Sequence, residues 1–298
     1  MTTPARPIRI FAPAKINLAL SVVGLRNDGY HDLDSLVAFA GVGDTLSVRP
    51  APVLSLSVGG PKAGALARQP DNIVLKAARL LAERTGCDQG AAIHLKKRLP
   101  VAAGIGGGSA DAAATLKALC RLWQLDPEAI GLDAIALELG ADVPVCLAGH
   151  PARMQGVGDL VQPLSVGLPP AWLLLVNPGR ALATPAVFKA RQGPFSAPRT
   201  LLDRTPSDTA DLAALLAQGG NDLTEAAIGL MPVIERVLDD LAALRGCLLA
   251  RMSGSGATCF GLFADQDSAH RAALAMQEIH HRWWIAPAPL LAPQPDAS

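Results

Sequence analysis

A glycine-rich segment that runs directly into an alanine-rich helical pattern constrains this chain more than any other feature. Residues 99 to 123 read LPVAAGIGGGSADAAATLKALCRLW. Backbone N–H groups at a helix N-terminus carry the positive end of the helix dipole and can surround an anion. Glycines permit positive φ angles and close approach of a ligand because they have no side chain. The segment therefore predicts a phosphate-binding loop whose donors come from Gly104, Gly106, Gly107, Gly108 and the Ser109 hydroxyl.

This loop departs from three better-known sequence patterns. No Gly-Lys pair followed by Ser or Thr is present, so the loop is not a P-loop. Ser109 replaces the third glycine of the dinucleotide-binding fingerprint, and the strand pattern before the loop carries charges. Asp111 stands where a Gly-x-Ser-x-Gly hydrolase elbow requires glycine. A glycine loop taken alone is also explained by a tight turn or by close packing, so the assignment needs further motifs.

Composition excludes several classes of function. The 298 residues favour two domains of ordinary size, and a chain that is 50% hydrophobic and 17% charged can bury well-packed sheets and helices. Lys plus Arg equals Asp plus Glu at 26 each, which predicts no broad basic surface for nucleic acid or an anionic membrane. The five cysteines are widely spaced and form no Cys-x-x-Cys pair. We expect reduced thiols, no metal site built from protein side chains, and a cytoplasmic protein.

Strand and helix patterns occur in both halves of the chain, which predicts an α+β protein. Strand patterns cover residues 8–23, 36–39, 44–48, 93–97 and 172–176, and a turn is expected at 27–29. One helical pattern follows Asp71 and Asn72, which offer N-cap side chains, and ends near Gly86. Others follow the glycine loop and cover 132–139, 211–217, 222–230, 233–244 and 265–279. The Ala- and Pro-rich end beyond Ile285 is predicted to be a loosely held tail.

Three segments in the correct order resemble the motifs of the GHMP kinases, the family of galactokinase, homoserine kinase, mevalonate kinase and phosphomevalonate kinase. The glycine loop follows the central motif Pro-x(3)-Gly-[Leu/Ile]-Gly-[Gly/Ser]-Gly-Ser-[Ser/Ala]. FAPAKINLAL at residues 11 to 20 is similar to the first motif, and MSGSGATCFGLF at residues 252 to 263 to the third. The resemblance implies that ATP is bound by the whole central loop, namely Pro100, Val101, Ala102, Ala103, Gly104, Ile105, Gly106, Gly107, Gly108, Ser109 and Ala110.

The resemblance also implies a domain organisation and a cofactor. The expected two-domain GHMP kinase fold has an N-terminal domain like the second domain of ribosomal protein S5 at residues 1–162 and a ferredoxin-like C-terminal domain at residues 163–298. ATP is the expected co-substrate. Relatives commonly have two serines at the end of the loop, whereas this chain has Ala110 at the second position. We therefore expect Mg²⁺ to be bound mainly through ATP oxygens and water, with Asp111 as an additional candidate.

Lys15 and Asp142 are the candidate reacting pair. Lys15 lies in an otherwise apolar strand pattern, where a charge needs a partner or water. Asp142 follows a helical pattern and precedes Pro144, so a cap or turn residue with Lys15 as its counter-ion is the alternative interpretation. The family resemblance implies that Asp142 is the general base and that Lys15 orients it and stabilises charge, with support from Asn17 on the same strand face. By the same resemblance Asn72 contacts adenine, although a helix N-cap explains it equally well.

Three longer segments resemble one branch of the family, which acts on a substrate linked to cytidine diphosphate. They are residues 11 to 37, GADVPVCLAGHPARMQGVGD at 140 to 159, and TPAVFK at 184 to 189. This resemblance implies ATP-dependent phosphorylation of the 2-hydroxyl of a cytidine diphosphate-linked methylerythritol in the non-mevalonate isoprenoid precursor pathway. It further implies that Tyr30 and Phe188 enclose the cytosine and that His31 forms a hydrogen bond with its edge.

Alternatives remain at this point. Tyr30, the one tyrosine of the chain, and Phe188 also fit ordinary packing roles. Another GHMP kinase, such as a homoserine or mevalonate kinase, would carry the same loop without any requirement for cytidine. A catalytically inactive, nucleotide-binding relative that acts as a sensor is the alternative from a different class, and the presence of Lys15 and Asp142 argues against it. The expected state is a monomer or a homodimer.

Overall fold

The computed structural model describes residues 6–66, 72–198 and 201–292. Helices and strands are mixed along the chain, as the patterns predicted. The strands are β1 (Ile8–Leu25), β2 (His31–Ala51), β3 (Ser55–Gly59), β4 (Gly90–Lys96), β5 (Ala152–Gly156), β6 (Leu160–Pro163), β7 (Trp172–Asn177), β8 (Leu249–Met252), β9 (Cys259–Phe263) and β10 (Trp284–Pro289). The helices are α1 (Ile73–Thr85), α2 (Gly107–Trp123), α3 (Leu132–Leu139), α4 (Val143–Ala148), α5 (Thr184–Ala190), α6 (Thr209–Ala217), α7 (Thr224–Leu230), α8 (Val233–Ala242) and α9 (Gln266–Ile279).

The chain forms two compact units. The first unit comprises Met1–Ala14, Gly43–Val101 and Gly106–Ala148, and the second comprises Lys15–Val42, Ala102–Ile105 and Gly149–Ser298. The chain therefore passes from one unit to the other within β1, within β2, twice within the glycine loop and once at the end of α4. The linear domain boundary at residue 162 stays a prediction, because these units are assembled from several separate segments.

The first unit contains a short sheet and four helices among its described residues. The C-terminal half of β2 pairs antiparallel with β4, and β3 pairs parallel with β4. α2 contacts α1, α3 and α4. Eleven residues of α2 are buried, and the five alanines among them let neighbouring helices approach closely. The N-terminus of α2 is thereby held at the end of the glycine loop.

The second unit is built around a four-stranded antiparallel sheet in the order β10-β7-β9-β8. α8 and α9 contact this sheet, and their apolar faces join one core cluster with residues of β7 and β9. In the same unit the N-terminal half of β2 pairs with β5, and β5 pairs with β6. Among the described residues, no helix combines the length and the hydropathy needed to cross a bilayer.

Two predictions about secondary structure were wrong. Residues 36–39 and 44–48 are extended as predicted, but they belong to one strand, β2, and not to two, because the glycines between them are accommodated within the strand. Residues 286–289 of the predicted C-terminal tail beyond Ile285 instead belong to strand β10, which pairs with β7 along six residues. Pro287 and Pro289 have no N–H to donate, but β10 is the edge strand of its sheet and has one strand neighbour, where proline is tolerated. Residues 293–298 of the predicted tail lie outside the described residues.

Candidate active site

β1 carries the first motif and buries its polar side chains. Lys15 and Asn17 are 3% and 1% exposed and lie on one face of the strand, since they are two residues apart. The Asn17 side chain donates to the Ser35 hydroxyl at 2.7 Å. Its Oδ1 is buried and has no hydrogen-bond partner among the described residues. A buried acceptor left in this state is unfavourable unless a ligand supplies a donor, which makes Asn17 a candidate contact.

The middle of the glycine loop is held by the first and third motifs within the second unit. The Lys15 backbone N–H donates to the Ile105 carbonyl at 3.0 Å. The Ser253 hydroxyl donates to the Gly104 carbonyl at 3.0 Å, and the Asn17 N–H donates back to the Ser253 oxygen at 3.1 Å. Gly104 has a φ of +72°, and a Cβ there would lie 2.5 Å from the Ser253 carbonyl oxygen. At Gly104 the protein itself therefore requires glycine.

At the two glycines that begin α2, unlike at Gly104, the protein could accommodate a side chain. A Cβ added to Gly107 would meet no atom closer than 3.4 Å, and one added to Gly108 would meet its nearest neighbour at 3.9 Å. Glycine inside a helix is less favourable than alanine by about 1 kcal/mol. The N-cap, Gly106, offers no side-chain acceptor, so the first N–H groups of α2 are not capped by it. The fold thus leaves room for a Cβ at both glycines and does not cap the first N–H groups of α2 with a side chain, as an anion site requires.

A buried ionic network lies beside this helix start. Lys97 Nζ donates to Asp44 at 2.6 Å and to Asp111 at 2.7 Å, and each of the three side chains is at most 2% exposed. Asp44 also accepts the backbone N–H groups of Arg98 and Leu99, where the chain enters the glycine loop. Asp111 belongs to α2, so the network ties the loop entrance to the helix that follows it.

Titration of the network reflects its burial. Burial raises the pKa of Asp111 to about 7, the charge of Asp44 adds to the rise, and Lys97 opposes it. Burial by itself lowers the pKa of Lys97, but the two carboxylates outweigh it and the net pKa is raised. Lys97 is therefore charged at neutral pH. Sequence reasoning placed Lys97 at the end of a strand and missed this role, although its place two residues from both Leu95 and Leu99, on the apolar side of the alternating pattern, was the available signal.

Two further polar residues, both missed in the sequence, fix the third motif. Arg251 is 8% exposed, and its guanidinium donates to the carbonyls of Leu18, Leu216 and Gly219. Burial lowers the pKa of Arg251 to about 10. The Asn221 side chain donates to the carbonyls of Met252 and Gly254, both at 2.8 Å. These contacts connect β1 and the third-motif loop to the α6–α7 segment within the second unit.

The predicted base-binding residues also lie in the second unit. The rings of His31 and Phe188 are stacked, with centroids 5.0 Å apart and an angle of 28° between their planes. Burial and the positive charge of Arg191 lower the pKa of His31, so its imidazole is neutral at pH 7. Tyr30 follows the turn at 27–29 and is 66% exposed. The structure thus brings His31 and Phe188 together and leaves the face of Tyr30 accessible.

Asp142 and Asn72 belong to the first unit, whereas Lys15 belongs to the second. Asp142 directly precedes α4, and its carbonyl accepts from the Cys146 N–H. Asn72 caps α1, because its side-chain oxygen accepts from the Val74 N–H at 2.9 Å. The N-cap interpretation of Asn72 is therefore confirmed. Asp71, the other predicted cap residue, lies outside the described residues.

An open cleft of about 420 Å³ lies between the segment after α5 and helix α7. Its lining includes the carboxylates of Asp222 and Glu225 and the side chain of Arg191. Two carboxylates disfavour a diphosphate through like-charge repulsion. The stacked His31–Phe188 pair is therefore the better candidate for a nucleotide-linked substrate than this cleft.

Comparison with known proteins identifies relatives along nearly the whole chain. A family model described as the GHMP kinases N terminal domain matches residues 72–150, and one described as GHMP kinases C terminal matches residues 200–281. The 4-diphosphocytidyl-2-C-methyl-D-erythritol kinase of Paramagnetospirillum magneticum is 61% identical over 285 residues, which cover 95% of this chain and 98% of that protein. The enzyme of the same name from Rhodospirillum rubrum is 57% identical over 275 residues, which cover 92% and 90%.

Solved structures agree with the architecture. A crystal structure of a 4-(cytidine 5'-diphospho)-2C-methyl-D-erythritol kinase has a TM-score of 0.75 at 36% identity and covers 94% of this chain and 99% of its own. Homoserine kinase from Cytophaga hutchinsonii has a TM-score of 0.71 at 19% identity and covers 99% and 98%, which supports the fold alone. The predicted two-domain α+β fold class is confirmed by these matches.

Proposed function

The chain belongs to the GHMP kinase family, and on that premise we propose that it transfers the γ-phosphoryl group of ATP to the 2-hydroxyl of 4-diphosphocytidyl-2-C-methyl-D-erythritol. The names of relatives at 61% and 57% identity support this substrate. The reaction is a step of the non-mevalonate pathway to isoprenoid precursors. The predicted base-side residues His31 and Phe188 lie in ring contact, which is compatible with binding of a pyrimidine.

The open start of α2 is the observation on which the ATP site rests. Gly107 and Gly108 carry no side chain at positions where the protein has room for one. Selection for helix stability by itself would favour alanine at both positions, because glycine lowers helix stability. A ligand that approaches the backbone explains the two glycines, and the triphosphate of ATP has the charge that a helix N-terminus attracts.

Chemistry at the site follows from the two candidate reacting residues. In the proposed step Asp142 accepts the proton of the 2-hydroxyl, the hydroxyl oxygen forms a bond to the γ-phosphorus, and the bond to the β,γ-bridging oxygen breaks to release ADP. Lys15 orients the reacting groups and offsets the negative charge that develops. Phosphoryl transfer needs little covalent assistance, so positioning and charge stabilisation supply most of the acceleration.

In the proposed reaction Mg²⁺ binds together with ATP. Asp111, the additional candidate ligand, is 2% exposed, and one of its oxygens accepts from Lys97. A buried carboxylate engaged by a lysine does not suit a cation that keeps several of its waters. We therefore place Mg²⁺ on ATP oxygens and water and assign no step to a protein ligand.

Gly108→Ala separates the ligand role of the loop from its structural role. We expect the free energy of unfolding of the variant to rise by about 1 kcal/mol, because alanine favours the helix and its Cβ has room. We also expect KM for ATP to rise roughly 10- to 100-fold, because the new methyl group blocks charged hydrogen bonds to the backbone. Urea unfolding and steady-state kinetics measure the two effects.

Gly229→Ala is the matched control for this experiment. Gly229 lies in α7, and a Cβ there would meet nothing within 4 Å, so it has room as the one at Gly108 does. This variant should gain similar stability with an unaltered KM for ATP. An unchanged KM for ATP in Gly108→Ala would contradict phosphate binding at the start of α2.

Tyr30→Ala tests the base side of the proposed function. Stacking of a base on an aromatic ring contributes about 1 to 3 kcal/mol, so KM for the cytidine substrate should rise about tenfold or more. KM for ATP should stay nearly constant, and Tyr30→Phe should resemble the wild type because it keeps the aromatic face. Since Tyr30 is 66% exposed, its truncation leaves no cavity and should hardly change the melting temperature. Equal changes in both Michaelis constants, or a large loss of stability, would indicate a packing role instead.

A further inference from the structure

A short loop after α5 contains an aromatic side chain that the sequence did not single out. Its backbone is held by Arg191, whose guanidinium donates to the carbonyls of Gly193 and Pro194. The same guanidinium lies 5.0 Å from the centre of the Phe195 ring, within the range of a cation–π contact. Arg191 thus stabilises the loop conformation and the position of Phe195 together.

The far end of this loop is attached to β1. The Ser196 N–H donates to the Val22 carbonyl at 2.9 Å, so the residue after Phe195 is fixed by a strand of the second unit. Phe195 remains 46% exposed although it is anchored on both sides. An exposed phenyl ring held in this way has little packing value to the fold, since about half of its surface stays in water.

Phe195 contacts the candidate base-binding histidine. Its ring centre lies 6.4 Å from that of His31 at an angle of 63°, an edge-to-face arrangement, while Phe188 stacks on the same imidazole. Aromatic pairs favour both geometries at these separations. The imidazole is therefore restrained by two phenyl rings from different directions.

We propose that Phe195 is a positioning residue for base recognition: with Phe188 it fixes the plane of the His31 imidazole, and Arg191 holds Phe195 in place. This inference rests on the proposed function, because it concerns how the cytosine of that substrate is recognised. The guanidinium of Arg191 has the charge to bind a diphosphate, but both of its terminal nitrogens donate to carbonyls of its own loop. Its role in the loop is the support of Phe195.

A fixed imidazole plane matters because cytosine and uracil differ by an exchange of donor and acceptor. Cytosine presents an amino donor at N4 and an acceptor at N3, whereas uracil presents an acceptor at O4 and a donor at N3. A neutral imidazole has one donor nitrogen and one acceptor nitrogen on different sides of the ring. A ring that cannot turn presents the same nitrogen to every ligand, so a base that requires the less favoured tautomer of His31 at that nitrogen binds less well.

The test compares Phe195→Ala, Phe195→Tyr and the wild type with the cytidine-linked substrate and its uridine-linked analogue. Loss of one aromatic contact should raise KM for the cytidine substrate about 2- to 12-fold and lower the preference for cytidine over uridine by a similar factor. We expect kcat and KM for ATP to stay constant. Phe195→Tyr keeps the ring and should restore both values. Leu274→Ala, which truncates an exposed residue of α9, is the control and should change none of them.

The outcomes separate this inference from the function on which it rests. The inference would be overturned, and the proposed function would stand, if the wild type uses the cytidine substrate while Phe195→Ala has an unchanged KM and an unchanged base preference. A parallel rise of KM for ATP, or a failure of Phe195→Tyr to restore base preference, would also overturn it by indicating a structural role. A wild type that phosphorylates a different alcohol would overturn both proposals.

Discussion

Asp142→Asn is expected to lower kcat by roughly 10²- to 10⁴-fold, the range that general-base catalysis contributes. The amide keeps the size of the side chain but cannot accept the proton of the attacking hydroxyl. Asp142 directly precedes α4 and is only partly buried, so the amide should leave the fold and the binding of ATP nearly unchanged. Single-turnover kinetics with saturating substrates measures the effect on the chemical step.

Asp133→Asn provides the control for this experiment. Asp133 is an exposed carboxylate in the first turn of α3, in the same unit as Asp142. Its replacement should change stability by less than about 1 kcal/mol through the helix dipole and leave kcat unaltered. Near-normal turnover in Asp142→Asn would remove Asp142 from the role of base and leave it as a helix-start residue.

Lys97→Met is expected to lower the free energy of unfolding by about 3 to 5 kcal/mol, the loss seen when one partner of a buried ion pair is removed. Lys97 is 2% exposed and holds two carboxylates that are equally buried. Methionine fills similar volume but leaves Asp44 and Asp111 buried together without a cation, so a carboxylate stays uncompensated or Asp111 must take up a proton. Urea-induced unfolding measures the change.

The double variant Lys97→Met with Asp111→Asn identifies the cause of this loss. Removing one of the two uncompensated carboxylates should recover part of the stability, so the double variant should be more stable than the sum of the single effects predicts. Asp111→Asn alone keeps the Lys97–Asp44 pair and should be mild. A loss below about 1 kcal/mol in Lys97→Met, or strict additivity in the double variant, would contradict a tightly coupled network.

Local signals in the sequence were sufficient for many elements of the fold. The limits of α1 follow from Asn72 as N-cap and from Gly86, which has a φ of +65° at the C-terminus. The predicted helix at 132–139 has the same limits as α3, and Asp265 caps α9 where the last helix was predicted to begin. Cap residues act within one turn of the chain, so a single sequence reveals them.

Long-range contacts were beyond the reach of such signals. β10 is an edge strand only because it pairs with β7, more than one hundred residues earlier in the chain, and its prolines alone indicated a tail. Arg251 and Asn221 act through backbone carbonyls of segments that the fold brings together. The role proposed for Phe195 depends on the hydrogen bond that attaches its loop to β1. In each case the partner is distant in sequence, and no local pattern encodes it.

A kinase assay that offers the purified protein Mg²⁺-ATP with three separate acceptors tests the central claim most directly. The acceptors are 4-diphosphocytidyl-2-C-methyl-D-erythritol, mevalonate and homoserine, and ADP release and product mass are measured for each. The proposed function predicts kcat/KM for the cytidine-linked acceptor at least about 100-fold above the other two, with one phosphoryl group added to that acceptor. Comparable or faster phosphorylation of mevalonate or homoserine would contradict it, and ATP binding without turnover of any acceptor would instead indicate an inactive nucleotide-binding relative.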